Sequence, residues 1–240
     1  RLTEEAEGEY FAYCDQDDVW LPEKLAVLQE ALEREKALLV CSDMYIIDGV
    51  GQVVADSITK VRKHHKFCSG EGLSKELLIR NFVTGCTMLV KARAAKMAVP
   101  FCPYMVHDHY LSLWCGEHGK IVSLTDRLIR YRVHKNSQTG VLAGVVDKES
   151  YKRVRIDTAY QKFLWLRKNF PCCEETHRTI MKGLRWGEAR ERNWAHKGGK
   201  REIWRHWRLA PLTCLFEIIG SWMPDILFMW VVGLRRKNLL

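Results

Sequence analysis

Three aspartates lie within four residues near the start of the chain, at Asp15, Asp17 and Asp18. Like charges this close repel one another, so three ionised carboxylates are costly to hold together without a cation. Oxygen ligands suit Mg²⁺ and Mn²⁺, which usually bind through one or two carboxylates together with substrate phosphates. The cluster therefore indicates a divalent-metal site. The structural alternative is a loop in which Asp18 caps the helix that follows.

An apolar, aromatic-rich run from Glu9 to Cys14 precedes the cluster and predicts a buried strand. A strand that ends on acidic residues presents them at its carboxyl end, where α/β folds bind ligands. Pro22 favours the first turn of a helix that continues to Lys36 at apolar helical spacing. Later apolar runs predict strands at 38–47, 84–90, 121–124 and 128–132, helices at 74–81, 92–97 and 109–118, and a mobile polar loop at 56–72.

The composition changes at a Gly-bounded linker candidate, residues 140–144. The chain carries a net charge of +9, and its two parts contribute unequally. Residues 1–150 carry 19 basic and 21 acidic side chains, whereas residues 151–240 carry 19 and 8. Trp-rich basic helices are predicted in the second part, at 160–168 and 201–208. Such a region favours a polyanion or an anionic membrane surface as its partner, and we predict two regions, 1–140 and 141–240.

The nine cysteines are odd in number, and most of them lie inside apolar runs. Their spacing contains no Cys-x-x-Cys pair and does not favour a zinc site over the alternative of buried thiols. Free thiols indicate a reducing compartment, such as the cytoplasm.

Five segments, in order, resemble motifs of the family 2 inverting glycosyltransferases, in particular the bacterial rhamnosyltransferase-like group. These segments are Tyr13–Leu25 (the DxD segment), Ser42–Gly51, Asn81–Met88, His107–Leu111 and Tyr131–Ser137. The resemblance covers about residues 8–140. It implies an α/β fold, a partial GT-A (Rossmann-like) mixed sheet flanked by helices, which a carboxyl-terminal helical extension follows.

The resemblance implies a role for each matched polar residue. Asp15 would face the ribose and diphosphate of a nucleotide sugar, and Asp17 would ligate Mg²⁺ or Mn²⁺. Asp108 would be the general base that deprotonates the acceptor hydroxyl, and His134 would complete the metal coordination. The alternative for Asp108 is a helix N-cap, and the alternative for His134 is a surface histidine.

Three further residues, Trp20, Gly85 and His107, are assigned to the substrate site by the same resemblance. Trp20 would form a wall of the acceptor site, or it belongs to the core. Gly85 would allow close backbone approach to the sugar, or it relieves packing in a strand. His107 would orient Asp108 or contact the acceptor.

The implied reaction is metal-dependent, inverting transfer of a hexose from a nucleotide-diphosphate sugar to a hydroxyl of a cell-surface glycan or lipid-linked acceptor. Rhamnose is the first candidate for the sugar. The family's domain ordinarily begins with a base-binding strand and about one more βαβ unit, which the resemblance does not find before Arg1. We therefore expect an amino-terminal nucleotide-binding portion to be lacking here, and a non-catalytic remnant is one alternative. A basic nucleic-acid-binding module is another, although no nucleic-acid motif supports it.

Residues 209–234 are apolar but are interrupted by Pro211, Glu217, Pro224 and Asp225. A single membrane-spanning helix of about 20 residues is not expected from this pattern. Basic helices rich in tryptophan suit a membrane interface instead, which predicts peripheral contact with the cytoplasmic face of the membrane. The alternative is a helical appendage packed on the catalytic region.

Overall fold

The structure is a computed structural model that describes residues 1–62, 65–133, 142, 144–207 and 211–236. The chain divides into two compact units, Arg1–Asn136 and Ser137–Leu240. The predicted boundary at residue 140 lies close to this division.

The first unit is a mixed sheet with helices packed against it. Its strands are β1 (Tyr10–Ala12), β2 (Val19–Trp20), β3 (Leu39–Ile47), β4 (Val53–Ala55), β5 (Met88–Lys91) and β6 (Ile121–Arg132). Its helices are α1 (Leu2–Glu5), α2 (Lys24–Arg34), α3 (Ile58–Val61), α4 (Ser74–Ile79), α5 (Ala92–Met97) and α6 (His107–His118). The predicted fold class, a mixed α/β sheet flanked by helices, is confirmed for this unit.

The strand order is β1-β5-β3-β6-β2, and β4 pairs with the end of β3. β3 and β6 are parallel, whereas β5 is antiparallel to both β1 and β3, and β2 is antiparallel to β6. The chain therefore leaves the sheet at one edge after β1 and returns at the opposite edge as β2. Residues 13–18, which we call the acidic loop, must cross the end of the sheet between these edges.

The core explains why α2 and β3 form where they do. β3 has buried side chains at eight of its nine positions, as a central strand covered on both faces should. Leu28 and Leu32 of α2 are fully buried and belong to one cluster with Val40 and Leu89. Helical spacing therefore presents one apolar face of α2 to the sheet, just after the acidic loop and β2.

Three predicted elements differ from the structure. The stretch 56–72, predicted to be a loop, contains α3, whose start is capped by the Ser57 hydroxyl accepting the Thr59 N–H at 3.1 Å. The run 84–90 begins as a 3₁₀ turn, Gly85–Thr87, because the Thr84 carbonyl accepts the Thr87 N–H at 2.9 Å. The strands predicted at 121–124 and 128–132 are one strand, since shifts in register against β3 accommodate the polar residues between them.

All the regular elements that the structure describes in the second unit are helical, as the predicted helical extension requires. Its elements are α7 (Lys148–Tyr151), a π-helical stretch (Lys152–Asp157), α8 (Thr158–Asn169), α9 (Glu174–Trp194), α10 (Lys200–Arg205), α11 (Pro211–Gly220) and α12 (Asp225–Arg236). Among the described helices, none combines the length and the apolar content that crossing a bilayer would need. None of the nine cysteines, each within the described ranges, forms a disulfide, and five of them are buried.

A buried ion pair lies at the centre of the second unit. The Arg190 guanidinium donates two hydrogen bonds to the Glu217 carboxylate, and both side chains are almost completely buried. The Tyr151 hydroxyl donates to the same carboxylate at 3.1 Å, and the Asn193 amide donates to the Glu217 carbonyl at 2.7 Å. The Arg190 Nη2, which is one of the two donors to Glu217, also donates to the Arg155 carbonyl at 2.9 Å, so the buried charges are paired and hydrogen-bonded.

We expect Arg190→Met to destabilise the second unit by about 3–5 kcal/mol, because it leaves the Glu217 carboxylate buried without a counter-charge. The double variant Arg190→Met/Glu217→Met should recover part of that loss, since it removes both charges together. Differential scanning calorimetry would measure both. Arg178→Met is the matched control, because Arg178 forms only an exposed pair with Glu174 and should cost no more than about 1 kcal/mol. Equal melting temperatures of the single and double variants would contradict the assignment of Arg190 and Glu217 as a buried ion pair.

Candidate functional site

The acidic loop is held against the sheet by Arg132, the last residue of β6. The Arg132 backbone N–H donates to the Asp18 carboxylate at 2.9 Å, and its Nε donates to the Asp17 carbonyl at 2.9 Å. Its Nη1 also donates to the Asp48 carbonyl at 3.0 Å, which ties the β3–β4 turn to the loop. The alternative in which Asp18 caps α2 is therefore wrong. The N-cap of α2 is Glu23, and the Asp18 side chain instead pairs with a distant strand.

One group of potential metal ligands occurs in the described residues: Asp15, Asp18 and Cys86, whose ligand atoms lie within 4.8 Å of one another. Oδ2 of Asp18 is buried, and no hydrogen-bond partner for it occurs among the described residues. Burial raises the pKa of Asp18, against the opposing effects of the Cys86 thiol and the Arg132 N–H. A buried carboxylate oxygen without a donor is suited to a cation.

The protonation state of the Cys86 thiol indicates which class of cation this group of residues would bind. Burial, reinforced by the negative charges of Asp18 and Asp15, raises the pKa of Cys86 far above its usual range, so the thiol stays protonated. A neutral thiol is a poor ligand, whereas carboxylate oxygens suit hard ions such as Mg²⁺ and Mn²⁺. Asp15 and Asp18 thus fit the predicted cofactors. Asp17, the predicted ligand, is not in this group, and His134 lies outside the described residues.

Lys24 is a site residue that the sequence analysis missed. Its side chain is 1% exposed, its ammonium donates to the Cys86 carbonyl at 2.6 Å, and it lies 3.4 Å from the centroid of the Trp20 ring. Burial lowers the pKa of Lys24 from 10.5 to about 8, while the nearby cysteines and the carboxylates of Asp18 and Asp15 oppose that effect. Its position four residues before the buried Leu28, on the apolar face of α2, was the signal in the sequence.

Asp108 lies in the first turn of α6, which begins at His107 and has Val106 as its N-cap. The N-cap alternative for Asp108 is therefore wrong. Its Oδ2 accepts the Gly85 N–H at 3.0 Å, and its Oδ1 accepts the Asn81 amide at 3.3 Å. Burial raises the pKa of Asp108, and the negative charge of Asp15 adds to that increase, while the charge of His107 and the backbone N–H donors oppose it.

Gly85 and His107 lie against one another. A Cβ at Gly85 would be 2.9 Å from Nε2 of His107 and 3.5 Å from Cβ of Asp108, so the absent side chain gives the start of α6 room to approach. Gly85 belongs to the 3₁₀ turn, and the alternative that it relieves packing within a strand is wrong. His107 is exposed, and its ring centroid lies 5.1 Å from that of Tyr13 at the start of the acidic loop.

Trp20 is half-buried and packs against the apolar cluster of Met44, Ile46 and Cys86, with the Lys24 ammonium over its ring. Its indole Nε1 is buried, and no acceptor for it occurs among the described residues. The structure thus gives Trp20 a packing role beside the site. Its predicted contact with an acceptor stays a prediction.

The 3₁₀ turn Gly85–Thr87 brings these groups together. Lys24 binds the carbonyl of Cys86, the Cys86 thiol lies beside Asp15 and Asp18, and Asp108 binds the N–H of Gly85. A pair of carboxylates suited to a cation and a separately held, half-buried carboxylate therefore lie at one three-residue turn. This arrangement can stabilise negative charge at one end and accept a proton at the other.

Residues 2–95 match the family model described as Glycosyl transferase family 2. The matched segment contains the acidic loop, Lys24 and the Gly85–Thr87 turn, and it ends before Asp108. No curated protein matches the chain.

Among solved structures, the crystal structure of S. aureus TarS 1–349 in complex with UDP-GlcNAc is similar to this chain. The two are 12% identical with a TM-score of 0.46, over 98% of this chain and 70% of that one. The site geometry described above is independent of this similarity.

We expect Lys24→Met to remove a pH dependence of stability. Between pH 8 and 10.5 the unfolded chain still holds the Lys24 proton that the folded chain has released, so this group makes the folded state more stable as the pH rises through that window. The free energy of unfolding of the wild type, measured with urea, should therefore increase across this pH window relative to that of Lys24→Met. Lys66→Met removes an exposed lysine, and its free energy of unfolding should show the same pH dependence as that of the wild type. Parallel profiles for wild type and Lys24→Met would refute the burial of a charged Lys24.

Proposed function

We propose that this protein is a family 2, GT-A-type glycosyltransferase that transfers a hexose, with inversion, from a nucleotide-diphosphate sugar to an acceptor hydroxyl. The family match to residues 2–95 supports the class of reaction. The observation that carries the proposal is the convergence of the acidic loop and Asp108 on the Gly85–Thr87 turn. An inverting transfer needs a cation-binding group at the leaving diphosphate and a base on the opposite side of the sugar.

The acidic loop would bind the diphosphate end of the donor. A bound Mg²⁺ or Mn²⁺ would neutralise charge on the departing diphosphate. Asp15 and Asp18 would hold that ion, and Asp17 stays a candidate ligand because its main chain is fixed in the same loop by Arg132. His134 stays a candidate for the remaining coordination position. Lys24 would fix the Gly85–Thr87 turn beside the acidic loop, because its ammonium donates to the Cys86 carbonyl and the Cys86 thiol lies beside Asp15 and Asp18.

Asp108 would accept the proton of the acceptor hydroxyl at a carboxylate oxygen. The Gly85 N–H and the Asn81 amide fix the orientation of that carboxylate, and burial brings its pKa closer to the working pH, where a base is most effective. His107, exposed beside it, would contact the acceptor or orient Asp108. Trp20 and Gly85 would complete the substrate side of the site.

The donor and acceptor are proposed from the sequence resemblance alone. Rhamnose is the first candidate sugar, and the acceptor would be a cell-surface glycan or a lipid-linked glycan at the cytoplasmic face of the membrane. Peripheral attachment of this kind would bring the site to a lipid-linked acceptor without a membrane-spanning helix.

We expect Asp108→Asn to lower the rate of sugar transfer by about 10²–10⁴-fold, because the amide cannot accept the hydroxyl proton. A screen for release of nucleoside diphosphate from thymidine-, uridine- and guanosine-diphosphate sugars would identify the donor and measure this loss. Asp126→Asn is the matched control, since Asp126 is an exposed aspartate of β6 away from the turn. Wild-type activity in Asp108→Asn would remove Asp108 from the mechanism. A screen in which no donor is turned over would count against the proposed function.

We expect the site to bind Mn²⁺ through carboxylate oxygens and not through the thiol. Titration of the protein with Mn²⁺, followed by electron paramagnetic resonance, should show one site that Asp18→Asn or Asp15→Asn weakens at least tenfold. Cys86→Ser should bind Mn²⁺ as the wild type does, because a protonated thiol contributes no ligand. Loss of Mn²⁺ binding in Cys86→Ser, with normal binding in Asp18→Asn, would make the hard-ion assignment wrong.

A further inference from the structure

Helix α11 of the second unit has an unusual distribution of polar and apolar side chains. Its one charged residue, Glu217, is buried against Arg190, while large apolar side chains face outward. An exposed helix face normally carries polar residues, so an exposed apolar row calls for a partner that removes it from water.

The exposed apolar residues form a continuous row, which we call the outer stripe. It comprises Leu212, Leu215, Ile219 and Trp222, spaced three or four residues apart, so that they lie on one side of α11 and the turn after it. Trp222 is 61% exposed and Leu212 is 56% exposed. Side chains this large and this exposed on one face leave a contiguous apolar surface in contact with solvent.

A cationic cleft borders the outer stripe. This open cleft of about 460 Å³ is lined by Lys200, Arg201, Trp204 and Arg205 of α10 and by Ile218 of α11. Arg205 pairs with Glu202 at 2.6 Å. For Lys200 and Arg201, no carboxylate partner occurs in the part of the chain that the structure describes. The cleft thus combines cationic side chains with one aromatic and one aliphatic wall.

The cleft and the outer stripe form one surface. The Lys200 ammonium lies 5.1 Å from the centroid of the Trp222 ring, and the His196 ring lies 4.2 Å from the same ring, edge to face. Ile218, next to Ile219 of the stripe, lines the cleft. Cations therefore border an exposed apolar row on one side of the second unit.

We propose that the cationic cleft and the outer stripe dock on an anionic membrane surface. Lipid phosphates would pair with Lys200, Arg201 and Arg205, while Trp222 and the aliphatic residues of the stripe would enter the boundary between headgroups and acyl chains. Indole rings and basic side chains favour that boundary, because each presents an apolar body beside a polar or charged tip.

Charge complementarity selects this occupant. Residues 151–240 carry 19 basic against 8 acidic side chains, which favours an anionic surface over a second copy of the same basic face. A polyanion such as RNA would satisfy the cations but would leave the aliphatic members of the stripe in water. The inference deepens the proposed membrane contact. It is tested without any sugar donor, so its failure and the failure of the transfer reaction are separate results.

The test is co-sedimentation of the full chain with vesicles of phosphatidylcholine alone or mixed with phosphatidylglycerol. The wild type should bind the mixed vesicles, and the triple variant Lys200→Gln/Arg201→Gln/Arg205→Gln should bind them about 100-fold more weakly, at roughly fivefold for each basic residue near a membrane surface. The control variant Arg167→Gln/Lys168→Gln/Lys182→Gln removes the same charge from exposed positions of α8 and α9 that do not line the cleft, and it should bind nearly as the wild type does.

A second variant separates insertion from simple attraction. Trp222→Ser/Ile219→Ser should weaken binding even in high salt, where screening removes most of the electrostatic contribution, and it should reduce the blue shift of tryptophan fluorescence on vesicle binding. Equal binding by the cleft variant and the charge-matched control would overturn the proposal. Binding to single-stranded RNA in place of vesicles would also overturn it, as would a dimer in sedimentation equilibrium that buries Trp222.

Discussion

The hydrogen bond from the buried Lys24 ammonium to the Cys86 carbonyl is the contact on which the candidate site depends. The acidic loop has to carry three carboxylates across the end of a sheet, where their like charges repel one another. The Lys24 ammonium, while it is protonated, offsets part of that repulsion. Because its acceptor is the backbone of the Gly85–Thr87 turn, the same contact also fixes the turn whose Gly85 N–H donates to Asp108. The two halves of the site are thereby joined through one short piece of main chain.

Both units place a buried basic side chain beside acidic ones, with different consequences. In the second unit, Arg190 satisfies Glu217 completely, and nothing is left over for a ligand. In the first unit, the Lys24 ammonium donates to the Cys86 carbonyl and not to a carboxylate. For Oδ2 of Asp18, the described residues provide no donor. A closed ion pair stabilises a fold, whereas a buried carboxylate that stays short of partners is suited to bind a cation. This difference separates the structural network from the candidate functional one.

Many of the helices and strands could be predicted from the sequence, because the spacing of apolar residues within each segment indicates its secondary structure. The apolar run before Asp15, the helical spacing after Pro22 and the Trp-rich helices beyond residue 150 all have counterparts in the structure. The predictions that proved wrong depend on distant partners. Asp18 looked like a helix cap, but its carboxylate accepts the N–H of Arg132, more than a hundred residues away. Lys24 was missed because its burial depends on the turn at Cys86, 62 residues further along the chain.

The sequence by itself determined which groups are available: the acidic loop, Asp108, Gly85 and a basic, aromatic second unit. The tertiary structure decided how they are combined. The strand order requires the acidic loop to cross the end of the sheet, where it meets the Gly85–Thr87 turn. There Asp18 lies beside the Cys86 thiol, and the buried Lys24 ammonium donates to the Cys86 carbonyl. It also turned Glu217 inward and the outer stripe outward. These outcomes follow from long-range strand pairing and helix packing, whose energies depend on residues that are far apart in the chain and close only after folding.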